Sequence, residues 1–129
     1  MTHICNFRVY YEDTDAAGVV YYANYLKFAE RARTECLREI GVIQSQMLEK
    51  GSGFVVRKCE ADFLIPAKLD DLLEVNTDIS EIGKARLNIS QIIKRGGDIL
   101  VNIKVVIACV NQSGKPVRIP DIFGGNSTN

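Results

Sequence analysis

The chain carries a single histidine, His3, and it stands close to a terminus, where order is usually poorest. A catalytic triad built on histidine therefore has no dependable base. A Gly-x-Ser-x-Gly elbow is missing, and so is a phosphate loop. Ahead of Gly83-Lys84 and Gly114-Lys115, Asp78 and Cys109 stand where the loop's first glycine belongs, and Ala85 and Pro116 follow where Ser or Thr is needed. Nucleotide hydrolysis is not supported. No C-x-x-C pair occurs among Cys5, Cys36, Cys59 and Cys109, so no metal site is expected, and the thiols read as small buried apolar side chains rather than disulfides. Net charge is lacking too, with 16 Lys and Arg against 16 Asp and Glu, interspersed without a basic stripe. Nucleic acid is not expected as a partner. The longest wholly apolar run, Val105 to Val110, is far too short to span a bilayer, and no signal-like apolar stretch precedes Arg8 and Glu12. A soluble, unexported, cytoplasmic protein is expected, and 129 residues suit one domain, 1–129.

What is present centres on Arg8 to Gly41. Ile4 to Tyr11 reads as a strand, Glu12 to Asp15 as an acidic turn, and Gly18 as a change of direction before a long amphipathic helix. Leu26, Ala29, Ala32, Arg33, Cys36, Leu37 and Ile40 fall on one side of that helix, and Lys27, Glu30, Arg31, Thr34, Glu35, Arg38 and Glu39 on the other. Asn24 suits the N-cap and Gly41 the C′ position. Gln44 to Lys50 suits one or two further helical turns.

From Gly53 the period changes to two. Strands are expected over Phe54 to Ile65, Leu72 to Ile82, Ala85 to Arg95 and Ile99 to Val110, punctuated by Pro66, Gly83 and Gly96-Gly97. Leu87, Ile89, Gln91 and Ile93 share one face of the third, and the odd positions from Ile99 to Cys109 share one face of the fourth. The short connections make these an antiparallel meander, an α+β arrangement with the sheet wrapped around the helix. Pro116 to Pro120 suits a short edge segment, and residues from about 121 to 129 a flexible tail. Long strands with one helix to cover them leave an edge exposed, which homodimerisation would hide.

The acidic turn opens like a calcium loop, but Ala17 stands at the third ligand position and Asn24 where a bidentate Glu should close it. A carboxylate reading remains. Asp15 lies between Gly18, which permits close backbone approach, and a helix start, whose unpaired N–H groups and positive dipole end can stabilise a developing oxyanion. Asp15 equally suits a turn or helix cap. Tyr10, Tyr11, Tyr21, Tyr22 and Tyr25 suit packed rings, and Glu30 and Glu35 suit solvated or paired helix positions. Arg57-Lys58 reads either as a solvated edge or as a pair of cations for a phosphate-bearing ligand.

The run Val9-Tyr10-Tyr11-Glu12-Asp13-Thr14-Asp15-Ala16-Ala17-Gly18-Val19-Val20-Tyr21, then Tyr25 and Glu30-Arg31-Ala32-Arg33-Thr34-Glu35, resembles the YbgC-type acyl-CoA thioesterases, hotdog-fold proteins associated with the Tol-Pal system. The likeness continues through Phe54 to Lys58 and Pro66 to Val75. It implies a hotdog fold, with active sites at the interface of a homodimer that can pair into a homotetramer. It also implies hydrolysis of an acyl-CoA, with a short-chain or hydroxybenzoyl-type acyl group. The aspartate matching Asp15 would be nucleophile or general base, and Tyr22 N–H would polarise the thioester carbonyl. Tyr11 would position Asp15 or the thioester, Gly18 would line the substrate site, and Arg57 and Lys58 would meet the CoA phosphates. YbgC-type proteins usually carry histidine where Tyr22 stands; Tyr21-Tyr22-Ala23-Asn24-Tyr25 looks more like the 4-hydroxybenzoyl-CoA thioesterases. A backbone role is unaffected, because every residue except proline supplies the N–H. No cofactor is implied, since a thioester is already an activated acyl group.

Two rivals compete with this reading. A hotdog dehydratase acting on acyl carrier protein would pair a histidine with a carboxylate, and His3 is badly placed for that; a carrier-protein-linked acyl group is also an alternative substrate for the hydrolase. A non-catalytic acyl-binding or envelope-associated scaffolding protein would keep the fold without needing Asp15 beside Gly18.

Overall fold

A computed structural model describes residues 2–123. Strand β1 (His3–Arg8) leads through a 3-10 turn (Tyr11–Asp13) to helix α1 (Tyr22–Glu39) and the short helix α2 (Gln44–Glu49). Strands β2 (Ser52–Phe63), β3 (Leu72–Ile82), β4 (Arg86–Arg95) and β5 (Asp98–Asn111) follow. All pairings are antiparallel, in the order β1-β3-β4-β5-β2. The meander β3-β4-β5 is as expected from its short turns, while β2 crosses over to the far side of β5. One long helix lies on one face of a five-stranded antiparallel sheet, the α+β hotdog arrangement.

Helix α1 buries Tyr25, Phe28, Ala29, Ala32, Cys36 and Leu37. The stripe is rotated relative to the expected one: Leu26 and Ile40 are each 39% exposed. Tyr25 and Phe28 carry more apolar surface than Leu26, so seating them in the core outweighs leaving one leucine half-wet. Ala29 and Ala32 let the helix approach the sheet closely. Facing them are Leu73 and Val75 of β3, Leu87, Ile89 and Ile93 of β4, and Val101, Ile103 and Val105 of β5, all in one core cluster.

The helix ends as its glycine foretells. Gly41 takes φ 99°, its N–H donates to Arg38 O, and Val42 N–H donates to Leu37 O, a Schellman closure with Val42 buried behind it. Its start departs from expectation. The first helical residue is Tyr22, and the Asn24 amide, rather than capping the helix, donates to Asp13 O at 2.8 Å.

Among the described residues two polar side chains are buried, Thr77 and Gln91, and they meet. Gln91, 1% exposed, donates to Ala29 O and Thr77 Oγ1 and accepts from Arg33 Nη1. This network fixes the helix against β3 and β4. The four cysteines are free; Cys36 and Cys109 are buried as expected, whereas Cys59 is exposed on β2. Burial raises the thiol pKa of Cys36 and of Cys109.

The segment after β5 runs back beside it, with Val117 N–H on Cys109 O and Ile119 N–H on Lys84 O. Asp121–Phe123, expected as the start of the tail, form a 3-10 turn that buries Phe123. The rest of the expected tail, Gly124 to Asn129, lies outside the described residues.

Candidate active site

The acidic turn is a small β-hairpin leading into α1. Tyr21 N–H donates to Asp13 O and Asp15 N–H to Val19 O, with Thr14 bridged to Val20 between them. The tip, Ala16-Ala17-Gly18, closes through Gly18 N–H on Asp15 O, and Gly18 sits at φ 81°, where a side chain would strain the turn. Asp15 Oδ1 accepts from Ala17 N–H at 2.9 Å, which aims the carboxylate, and the residue stays exposed. Asp13 is spent on structure: its Oδ2 accepts from Tyr10 N–H at 2.7 Å.

The hairpin hands the chain to α1 with its first turn open. Tyr21 is the N-cap and makes no side-chain cap bond, while Asn24 N–H donates to Tyr21 O. The N–H groups of Tyr22 and Ala23 have no acceptor among the described residues. A residue that would ordinarily cap them, Asn24, is turned away toward Asp13. Two free donors at the positive end of an 18-residue helix suit an oxygen that gains negative charge.

A second loop, residues 64–71, forms the other wall. Val20 N–H donates to Ala67 O, and Ala67 N–H donates to the Tyr25 hydroxyl at 2.9 Å, so buried Ala67 joins the hairpin to the helix. Asp71 Oδ2 accepts from Lys68 N–H and from Arg95 Nη1, each at 2.8 Å. Burial would raise the Asp71 pKa, but these two donors outweigh it and hold the carboxyl below its ordinary value. Burial likewise raises Tyr25, against the lowering effect of Ala67 N–H.

Between the walls lies an apolar recess of about 250 Å³, lined by Val20, Tyr22, Tyr25, Phe63, Leu64, Ile65 and Pro66. The Phe63 ring stands edge-on to Tyr22, with centroids 5.8 Å apart, and tilted against Tyr25 at the same distance.

Of the residues singled out in the sequence, Asp15, Gly18 and Tyr22 come together at the hairpin and helix start. Tyr11 supports the same turn through its carbonyl, which accepts Thr14 N–H and Oγ1, but its side chain is 83% exposed. Arg57 and Lys58 stand apart, midway along edge strand β2: Arg57 is the bulged residue, and Lys58 Nζ lies 3.5 Å from Glu60. His3 lies 3.7 Å from Glu39, the last residue of α1, and so sits at the opposite end of the helix from Asp15. Within one chain, that placement keeps His3 from pairing with Asp15. Sequence reading missed the recess wall and the Asp71–Arg95 clamp. Leu64-Ile65-Pro66, apolar residues running on past a strand end, were the available signal.

The profile of the thioesterase-like superfamily matches residues 9–125. A curated relative from Haemophilus influenzae, named acyl-CoA thioesterase YbgC, is 48% identical over 115 residues, covering 88% of this chain and 85% of its own. The Escherichia coli acyl-CoA thioester hydrolase YbgC is 44% identical, covering 88% and 86%. A crystal structure of a probable thioesterase from Bartonella henselae superimposes with TM-score 0.88 at 44% identity, over 93% of this chain and all of that one. A helix start with free donors beside a carboxylate-bearing hairpin thus sits in a sequence of known kinship, and this chain belongs to the thioesterase-like superfamily as a YbgC-type thioester hydrolase.

Proposed function

We propose that the protein hydrolyses an acyl-CoA thioester to the free acid and CoA, with Asp15 as the reacting carboxylate. The observation that supports this most directly is the Asp15 carboxylate on a hairpin that opens into the unclaimed Tyr22 and Ala23 N–H groups, next to an apolar recess. The acyl chain enters the recess, and its carbonyl oxygen turns toward the helix start. Tyr22 N–H takes the oxyanion. Asp15 either removes a proton from the attacking water or attacks the carbonyl itself, giving a mixed anhydride that water then opens. In both routes the C–S bond breaks, the CoA sulfur leaves as thiolate and is protonated, and one water is consumed. Tyr11 steadies the hairpin that carries Asp15, and Gly18 lets the substrate pass close to its tip.

A recess of about 250 Å³ is at the small end for ligand cavities and suits a short or single-ring acyl group. Arg57 and Lys58, about 20 Å along β2 from Phe63 at the rise of a strand, offer cations for the CoA phosphates. The whole outer edge of β2 is unpaired, and Val55, Val56 and Phe63 on it are exposed. A second copy pairing along that edge makes the working unit a homodimer, the building block of any tetramer. The cytoplasm, where acyl-CoA is made and used, is its place of action.

Release of free thiol from short-chain, long-chain and hydroxybenzoyl CoA esters tests the reading. Turnover of the short or single-ring esters is expected. Thiol release from acyl carrier protein alone would transfer the reaction to that substrate, and acyl-CoA binding without release would leave only a binding protein.

A further inference from the structure

Strands β2 and β3 are neighbours in sequence but not in the sheet, where β4 and β5 lie between them. The loop 64–71 therefore crosses three strand spacings, about 14 Å, over the ends of β5 and β4. Its residues reach about 26 Å when extended, so the crossing carries slack, and its path is set by what fastens it.

Fastenings occur along its whole length. Leu64 N–H and Ile65 N–H both donate to Leu100 O of β5. At the far end Asp70 N–H donates to Val9 O and Val9 N–H to Asp71 O, just beyond β1. Between them the loop is held to β4 by Arg95, the last residue of that strand, whose Nη1 reaches Pro66 O at 3.4 Å and Asp71 Oδ2 at 2.8 Å. The same Asp71 oxygen accepts Lys68 N–H, which folds the loop back on itself. Asp70 takes φ 70°, the one non-glycine residue at positive φ among the described residues, a conformation that persists only under such restraint.

The middle of this crossing touches both halves of the reaction centre. Ala67 O accepts Val20 N–H, from the hairpin that carries Asp15, and Val19 is bridged to Lys68. Ala67 N–H donates to the hydroxyl of Tyr25, one helical turn beyond Tyr22. We infer that Asp71 and Arg95 are a positioning pair for the reaction: by fixing Ala67 they set the Asp15 hairpin against the start of α1. The inference rests on the proposed thioesterase reaction at Asp15. Neither side chain lines the recess, so both act through the loop rather than on the acyl group. Displacing reacting groups by about 1 Å can cost about 10²-fold in rate.

Turnover per folded molecule tests it, measured on a short-chain acyl-CoA well below each variant's thermal midpoint. Asp71→Ala and Arg95→Met are each expected to lower kcat about 10–100-fold with KM within about threefold. The double variant is expected to match the worse single one, because either change already frees the loop. Arg95→Lys, which supplies a cation to Asp71 in place of Nη1, is expected to bring kcat back to within about fivefold of the parent. Ile119→Ala is the stability control. It removes buried core volume beside Lys84, at the opposite end of β4, and should keep kcat within about twofold despite a lower urea midpoint. Parental kcat in Arg95→Met, losses that multiply in the double variant, or an equal loss in Ile119→Ala would each overturn the positioning role. Should Asp71→Ala not fold, Arg95→Met against Arg95→Lys decides the matter, and equal kcat in those two would overturn it. Near-normal turnover in Asp15→Asn would overturn the thioesterase reading first, whereas an Asp15-dependent parent with fully active pair variants would overturn this inference alone.

Discussion

At the scale of single residues, the role proposed for Tyr22 rests on its backbone N–H. Tyr22 is the first residue of α1, a position where proline is tolerated, and Tyr21 before it is already extended at φ −65° and ψ 130°. Tyr22→Pro therefore deletes one N–H and leaves the helix, and Tyr22→Ala beside it accounts for the loss of the ring that lines the recess. We expect kcat to fall about 10²–10³-fold with the thermal midpoint nearly unchanged, whereas Tyr22→Phe keeps the donor and stays within a few-fold. Equal losses in the two variants would move the role to the side-chain hydroxyl. Asp15 and Gly18 were legible because a carboxylate and a turn glycine before a helix are local features. The helix start was not. Asn24 is an N-cap type, and only its tertiary bond to Asp13 O shows that the first donors are left open. Tyr25 read as a packed ring and is one; its hydroxyl's partner, Ala67 N–H, was not legible because Ala67 is remote in sequence.

At the scale of elements, the chain's periodicities gave β3, β4 and β5 almost to the residue, since one apolar face and short turns fix register locally. Arg33 on the helix stripe and Gln91 on the β4 stripe were the two polar intruders, and the fold pairs them. Gln91→Leu should cost about 2–4 kcal/mol, read as a lower urea midpoint, because Ala29 O and Arg33 lose their partner in the core. A cost below about 0.5 kcal/mol would show that the network is idle. The loop 64–71 is held by Asp71, whose folded pKa lies below its ordinary value. A depressed folded pKa contributes stability above the unfolded pKa, and that contribution is lost as pH falls through the folded one. Asp71→Asn should therefore destabilise at neutral pH and flatten the acid limb of the stability profile below about pH 4. An unchanged acid limb would contradict the clamp. Its partners Lys68 and Arg95 belong to separate segments, so no motif announced it.

At the scale of the whole molecule, Asp15, Tyr11 and Tyr22 are all exposed in the single chain, and β2 offers its full length as an open edge. Strand length and helix count foretold that edge, since one helix cannot cover it. The recess was illegible, because it gathers residues that meet only in the fold. A charge on the edge should separate the copies: Val55→Lys is expected to sediment as a monomer and to lose most turnover although Asp15 is intact. A fully active monomer would contradict the proposed homodimer paired along β2. The claim on which everything else depends is that the Asp15 carboxylate carries the reaction, and its most direct test is Asp15→Asn beside the parent, assayed for thiol release from the best acyl-CoA. The account predicts that turnover drops by at least about 10³-fold while folding and acyl-CoA binding persist. Near-normal turnover in that variant would contradict it.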